Sequence, residues 1–475
     1  MRLAQMSAKR LKKIINVGAS RQKMQSKTKL RRNSMPYDHL KLLESNARTY
    51  ARFFNRVFST GHGIRVRDSQ GNEYIDCLAV AGALPLGHNH PEIKQAVVEY
   101  ISSDGIQQAL DFSTPAKIQF VNDLFSRLPP KLRDEGRIQF CGPTGSDAVE
   151  AALKLAKFYT KRQGVIAFHG SYHGMTSGAL GLMGNLHPKT GVGLTTGDVQ
   201  FAPFPYRFRC PFGTNGTQTD QLSINYLRTL LSDPESGVPK PAAIIVEVVQ
   251  GEGGAIPASI YWLQALRKLT LEFDVPLIID EVQTGLGRTG TLFAIERAGI
   301  TPDILVLSKA IGGGYPLSVV VYDKRLDVWT PGMHAGTFRG NQLAMVAGST
   351  AMRVIDRDGL VDNANKIGDI LKKGLIEIAQ HYPVLGDVRG LGLMIGIEVV
   401  RPGADDRPGD PDGELARVIK RNCFNNGLII ETGGRNGCVL RFLPPLIATE
   451  ADAGEILDRF EQAVESAEVG VLHAG

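Results

Sequence analysis

The sequence predicts an α/β protein with a mostly parallel central sheet in a large domain, followed by a smaller α+β domain. Three observations predict it. Short, continuous apolar runs at Val165–Phe168, 242–249, 275–279 and Ile304–Leu307 have the length and evenness of strands buried on both faces. Helical patterns separate these runs, so strand, loop and helix repeat through residue 321, as right-handed βαβ units do. After residue 350 the order changes, and long helical patterns at 352–362, 364–379, 413–426 and 450–467 alternate with strands at 393–399, 428–431 and 438–442. With 475 residues the chain exceeds what one core usually supports, which again predicts two or three domains.

Charge is unevenly spread. The formal net charge is +6, yet residues 1–34 hold eleven Lys or Arg and no acid. The remainder carries 43 basic against 48 acidic residues, a mildly acidic body with no basic patch suited to nucleic acid. The basic leader reads as a disordered or dispensable extension; a transit peptide, which is also acid-poor, is the alternative. Five scattered cysteines without a CxxC pair fit a reducing cytoplasm and argue against a disulfide framework or a zinc site. No apolar run approaches the ~18 residues a membrane span needs.

Taken in order, residues 36–60 read as a helix-rich entry segment, and alternation around residues 69–71 predicts a hairpin. His88 and His90 in GHNHP lack a neighbouring acid or thiol and make a poor metal site. Helices follow at 92–103 and 115–126. The strand at 138–141 runs into Gly142-Pro143-Thr144-Gly145-Ser146 and a helix, and small residues before a helix N-terminus leave N–H groups free for an anion. Tyr172, after the strand Val165–Phe168, could cover a flat heteroaromatic ring. Residues 185–219 read as a surface excursion bordering a channel, and Glu252 sits on a glycine loop after strand 242–249.

Two strand ends carry the sharpest signal. The run at 275–279 ends in Asp280–Glu281, and Ile304–Leu307 ends in Ser308–Lys309. In open parallel sheets ligands sit outside the carboxyl ends of the strands, so this acid and amine face one crevice. Pyridoxal phosphate uses both: a Lys for the Schiff base, and an acid to keep the pyridine nitrogen protonated. Thr337 lies in another candidate anion-binding turn, and Arg441 ends an apolar strand where it calls for an anionic partner.

The motifs GPTGSDAVEAALK, YHG, VEVVQGEGG, LIIDEVQTGLGRTG, PDILVLSKAIGGGYP, GTFRGN and VLRFLPPL occur in one order. Together they resemble the class III (ω-type) aminotransferases of the fold-type I pyridoxal-phosphate enzymes, from about residue 36 to the C-terminus. SYHGMTSGALGLMGN and GLIIETGGRNGCVLRFLPPL are most similar to the subgroup that acts on diaminobutyrate. Two mild departures are Val248 where many relatives have Pro, and Thr144 where Ser is common.

The resemblance implies a plan for the chain. Residues 1–34 would be the extension, 35–85 a segment packing with the small domain, 86–345 the large cofactor domain and 346–475 the small domain. Lys309 would form the Schiff base and move the proton, and Asp280 would hold the pyridinium. Gln283 would bond the ring's 3-oxygen, Gly145 and Ser146 the phosphate, and Tyr172 would stack on the ring. Thr337 would reach the phosphate of a neighbouring subunit, which implies a homodimer with shared sites. Arg441 would bind the α-carboxylate of glutamate or 2-oxoglutarate, and Glu252 would pair with it when an ω-amine donor is bound. The implied reaction exchanges the terminal amino group between L-2,4-diaminobutyrate and 2-oxoglutarate in the cytoplasm, with no metal. Another ω-amine donor (4-aminobutyrate, ornithine or a diamine) is the near alternative, and an aminomutase or racemase on the same scaffold the far one.

Overall fold

The computed structural model describes residues 36–192, 198–214, 216–402 and 409–472. The extension expected at 1–34 lies outside them. By internal contacts the described residues form two units, 36–60 with 67–73 and 61–66 with the described residues from 74 onward. In the first, helices Pro36–Leu43 and Tyr50–Phe53 make up the entry segment. The expected turn closes where Gly71 N–H donates to Asp68 O at 3.0 Å. Asp68 Oδ1 holds it by accepting from Gln70 and Asn72 N–H, each at 2.9 Å.

The second unit is built on a seven-stranded sheet. Its strands are β1 (Gly136–Phe140), β2 (Val165–Phe168), β3 (Val199–Ala202), β4 (Ala243–Glu247), β5 (Leu277–Asp280), β6 (Ile304–Leu307) and β7 (Val319–Asp323). They lie in the order β1-β7-β6-β5-β4-β2-β3. Every observed pairing is parallel except the two made by β7, which runs antiparallel to β6 and β1. Alternate residues of β4, β5 and β6 enter two separate cores. Ile244, Val246, Leu277, Ile279 and Leu305 join one; Ile245, Ile278, Ile304 and Val306 join the other. Both faces are therefore covered, which is why these strands read as unbroken apolar runs.

Helices α1 (Pro91–Ser102), α2 (Pro115–Phe125), α3 (Gly145–Thr160) and α4 (Ile260–Glu272) precede a pair that departs from the sequence pattern. The pattern places the break between residues 362 and 364. The structure has α5 (Gln342–Arg357) and α6 (Leu360–His381), separated at Gly359 in the left-handed region, φ +61°. A glycine takes that conformation at little cost and ends the helix. Asn341 starts α5 earlier than the apolar periodicity suggests, its Oδ1 accepting from Ala344 N–H at 3.2 Å.

The C-terminal part has its own antiparallel sheet. Strands β8 (Leu385–Leu391), β9 (Met394–Arg401), β10 (Glu431–Gly433) and β11 (Val439–Phe442) lie in the order β8-β9-β11-β10. Helices α7 (Gly413–Asn425) and α8 (Glu450–Leu472) pack on each other beside it. Among the described residues no helix is long and apolar enough to cross a membrane.

Candidate active site

The carboxyl ends of β2, β4, β5 and β6 and the first turn of α3 open on one cavity of about 200 Å³. Gly145, Ser146, Tyr172, Glu252, Asp280, Gln283 and Lys309 all line it, as the sequence predicts. Each position follows from local structure. Asp280 is the last residue of β5, and Lys309 opens a 3-10 turn after β6 with φ +48°. A non-glycine residue held there costs free energy, and surrounding structure must enforce it.

The expected strand at 242–249 is in fact broken at Val248. β4 stops at Glu247, and Val249–Gln250 turns away to pair with Ile256–Pro257. Ala258 N–H donates to Val248 O at 3.0 Å and fixes the turn. Glu252 therefore rides on a small hairpin rather than on a simple strand-to-helix loop.

The α3 N-terminus is open to an anion. Thr144 caps it, accepting from Asp147 N–H at 3.3 Å, and the first N–H groups of a helix have no intrahelical acceptor. Two of its positions, Gly145 and Gly174, leave no room for a Cβ. A Cβ on Gly174, φ +130°, would lie 2.1 Å from Ser146 Oγ, and one on Gly145 would lie 2.8 Å from the Val282 side chain.

Two residues to which the sequence reading assigned no role are central here. His173 Nδ1 lies 2.7 Å from Asp280 Oδ2, while Val282 N–H donates to Asp280 Oδ1 at 3.0 Å. Burial works against charge on His173, but the hydrogen bond and charge of Asp280, with Glu247 adding, hold its pKa above the usual value. Glu247 accepts from Tyr172 N–H at 2.9 Å and Gly251 N–H at 3.0 Å. Burial, reinforced by Asp280, pushes its pKa up to about 7 against the pull of His173 and those N–H groups. His173 was visible beside Tyr172 in YHG; a contact across 107 residues was not.

Burial draws the Lys309 amine below its usual pKa, with Glu252 and Asp280 opposing and Arg441 reinforcing the shift. Gln283 Nε2 donates to Ala81 O at 3.0 Å. Ala81 belongs to a left-handed turn in which Ala79, Val80 and Ala81 have φ of +46°, +53° and +56°. Asp76 steadies that turn by accepting from Leu78 and Ala79 N–H at 2.9 Å, and its other oxygen takes His88 Nε2 at 2.8 Å. Sequence spacing had left His88 without a neighbouring acid; the fold supplies one.

Arg441 lies beside the cavity, its Nη2 2.8 Å from Glu252 Oε1. Arg441 is only 2% exposed, whereas Glu252 is 36% exposed, so the acid is the partner that faces open space. Thr337 stands apart from this gathering. It is exposed on the turn Thr337–Gly340 and does not line the cavity of its own chain. A larger cavity of about 1110 Å³ shares Tyr172 and Glu252 with the first. It is bordered by residues 185–189 of the expected excursion and by the turn after β10.

A family model described as aminotransferase class-III matches residues 46–464. The chain belongs to the class III aminotransferases. Among curated relatives, a diaminobutyrate–2-oxoglutarate aminotransferase of Rhizobium meliloti is 50% identical over 436 residues, covering 91% of this chain and 93% of the relative. One from Haemophilus influenzae is 45% identical over 433 residues, covering 90% and 95%. The solved ω-transaminase of Pseudomonas jessenii in complex with PMP has the same fold, with TM-score 0.82 at 24% identity over 93% of this chain and 100% of that one.

Pyridoxal phosphate is the cofactor of this family, and the residues present fit it. A helix N-terminus whose neighbouring glycines leave no room for a Cβ suits the phosphate, a buried carboxylate backed by an imidazole suits a protonated ring nitrogen, and a desolvated amine suits the aldehyde. Elsewhere, Cys141, Asp147 and His334 bring a thiol, a carboxylate and an imidazole within 4.8 Å of one another. Asp147 there is occupied by Gly142 N–H at 2.5 Å, and His334 Nε2 stands 3.3 Å away.

Proposed function

We infer that this aminotransferase exchanges the terminal amino group of L-2,4-diaminobutyrate with 2-oxoglutarate, giving L-aspartate 4-semialdehyde and L-glutamate. The Glu252–Arg441 pair carries the reading. An enzyme that alternates an ω-amine with glutamate must house a carboxylate in one half-reaction and be rid of an unpaired cation in the other. Glu252 neutralises Arg441 while the amine donor is bound, then swings aside for the incoming carboxylate. An aminomutase has no need of such a device. The relatives' names supply the donor.

When bound, pyridoxal phosphate supplies an electron sink for the charge left when a proton leaves the substrate carbon. The chain's own groups do the rest. Lys309 Nζ holds the cofactor between turnovers and, once freed, takes the proton from the amine-bearing carbon. Its lowered pKa favours the neutral amine this requires. Asp280, oriented by His173 and the Val282 N–H, holds the ring nitrogen's proton. Gly145 and Ser146 would hold the phosphate and Gln283 the 3-oxygen, and Tyr172 would cover the ring.

The reading includes a homodimer. Thr337 adjoins a group of exposed apolar side chains, Leu110, Phe112 and Phe338 at 45%, 64% and 58% exposure. Ala109 N–H donates to Gly340 O at 3.1 Å, which ties these two segments together. A second copy covering this patch would bring Thr337 to the partner's phosphate. Glutamate formation from diaminobutyrate and 2-oxoglutarate tests the reaction; turnover with 4-aminobutyrate in its place would reassign the donor and leave the class intact.

A further inference from the structure

The larger cavity holds an arginine, Arg435, on which Glu398 acts only through space while that acid is shared by Arg389 and Arg209. Arg435 lies on the turn between β10 and β11 and lines this cavity with Tyr172 and Glu252. Its guanidinium sits over the Tyr206 ring, 4.9 Å from the centroid, and that of Arg389 sits at 5.0 Å. Arg389 is paired with Asp387 at 2.7 Å and Glu398 at 2.9 Å, and Arg209 also takes Glu398. That leaves three cations against two acids. Among the described residues no carboxylate lies within ion-pair distance of Arg435, and its buried Nη1 has no hydrogen-bond partner. The other cations of the cavity are engaged. Lys189 donates to Gly181 O at 3.1 Å, and Arg417 pairs with Glu414. A desolvated guanidinium without an anion is unfavourable, and an incoming carboxylate would relieve it.

The position suits a substrate's far end. A Cβ on Gly170 would lie 3.7 Å from Arg435 Nη2, and one on Gly253 would lie 2.6 Å from Gly170 O. Arg435 therefore stands beside the loop that carries Glu252. Diaminobutyrate and 2-oxoglutarate differ at the reacting carbon but share one feature: in each, the third carbon from it is a carboxylate carbon.

We propose that Arg435 is a specificity-determining residue that receives this distal carboxylate in both half-reactions, while Arg441 receives only the α-carboxylate of the oxoacid. The assignment rests on the exchange reaction inferred above. It accounts for one site accepting a diamino acid and an oxodiacid in alternation, and it defines the substrate class as compounds with a carboxylate at that spacing.

The test compares the half-reactions of Arg435→Gln holoenzyme, followed by cofactor absorbance, with diaminobutyrate, 2-oxoglutarate and 1,3-diaminopropane. The last is diaminobutyrate without its carboxylate. Loss of a charge-assisted contact predicts KM raised roughly 10- to 100-fold for the first two, and the diamine changed less than about 2-fold. Arg435→Lys, which keeps the charge, should recover part of the loss. Binding of glutarate to the holoenzyme by calorimetry gives a readout without turnover and should weaken by the same factor. An equal loss for all three compounds, or unchanged glutarate affinity, overturns the proposal. Wild-type enzyme that ignores diaminobutyrate would overturn the donor assignment instead, and the 2-oxoglutarate and glutarate arms would still decide the role of Arg435.

Discussion

His173 Nδ1 and Asp280 Oδ2 are 2.7 Å apart in a buried setting, and the charge of Glu247 adds to the rise in the His173 pKa. The facing carboxylate favours the charged form of the His173 imidazole against the pull of burial. Because the folded pKa of His173 is raised, the stabilisation is complete below its unfolded value, ~6.5, and is lost as pH rises through the folded value. Glu247 acts in the same sense, its folded pKa of about 7 lying above its ordinary 4.5. Cofactor-free wild type should therefore lose thermal stability from pH 6 to pH 8, and His173→Gln should flatten that slope. Equal slopes in melting temperature would remove the pair from this role.

Lys309→Ala should abolish turnover and the absorbance band of the lysine-bound cofactor, while pyridoxal phosphate still binds non-covalently through the helix cradle. Persistence of that band on reconstitution would mean another amine holds the cofactor.

The cradle itself can be probed at Gly174, where a Cβ would clash with Ser146 Oγ and where the backbone sits at φ +130°. Gly174→Ala should weaken cofactor binding by more than about tenfold, read by fluorescence titration of the apoprotein. Steric overlap and loss of the left-handed preference act together here. Unchanged affinity would show that the loop relaxes freely.

Much of this site was readable from residue order. Asp280 and Lys309 could be placed because buried parallel strands put their carboxyl ends on one edge, whatever the strand order. Strand direction was less accessible. β7 reverses among parallel neighbours, yet both of its faces are buried, so its apolar run reads like theirs. The break at Val248 was hidden for the same reason, since apolar residues continue on both sides of it. His173 and Glu247 escaped because their roles come from contacts across the sheet, and Arg435 because its meaning lies in the acid that is not beside it.

The gating proposed for the Glu252–Arg441 contact predicts different effects on the two half-reactions. Arg441→Gln should raise KM for 2-oxoglutarate roughly 10- to 100-fold through loss of a charge-assisted contact. Glu252→Gln should slow the amine half-reaction and spare the oxoacid one, because the buried guanidinium then lacks its anion only when the amine is bound. Stopped-flow absorbance of each half-reaction distinguishes these patterns, and equal effects on both would end the gating account.

The dimer prediction is separable from the chemistry. Phe112→Glu with Phe338→Glu should give a monomer by light scattering, with cofactor affinity reduced as Thr337 is lost from the partner's site. A dimer that survives both changes would place the interface elsewhere.

In the proposed exchange the terminal nitrogen of diaminobutyrate is the one that moves. Diaminobutyrate carrying nitrogen-15 only at the terminal amine, incubated with 2-oxoglutarate and holoenzyme, should give glutamate that carries the label, detected by mass spectrometry. Unlabelled glutamate, formed from the α-amine, would contradict the account, as would the absence of glutamate.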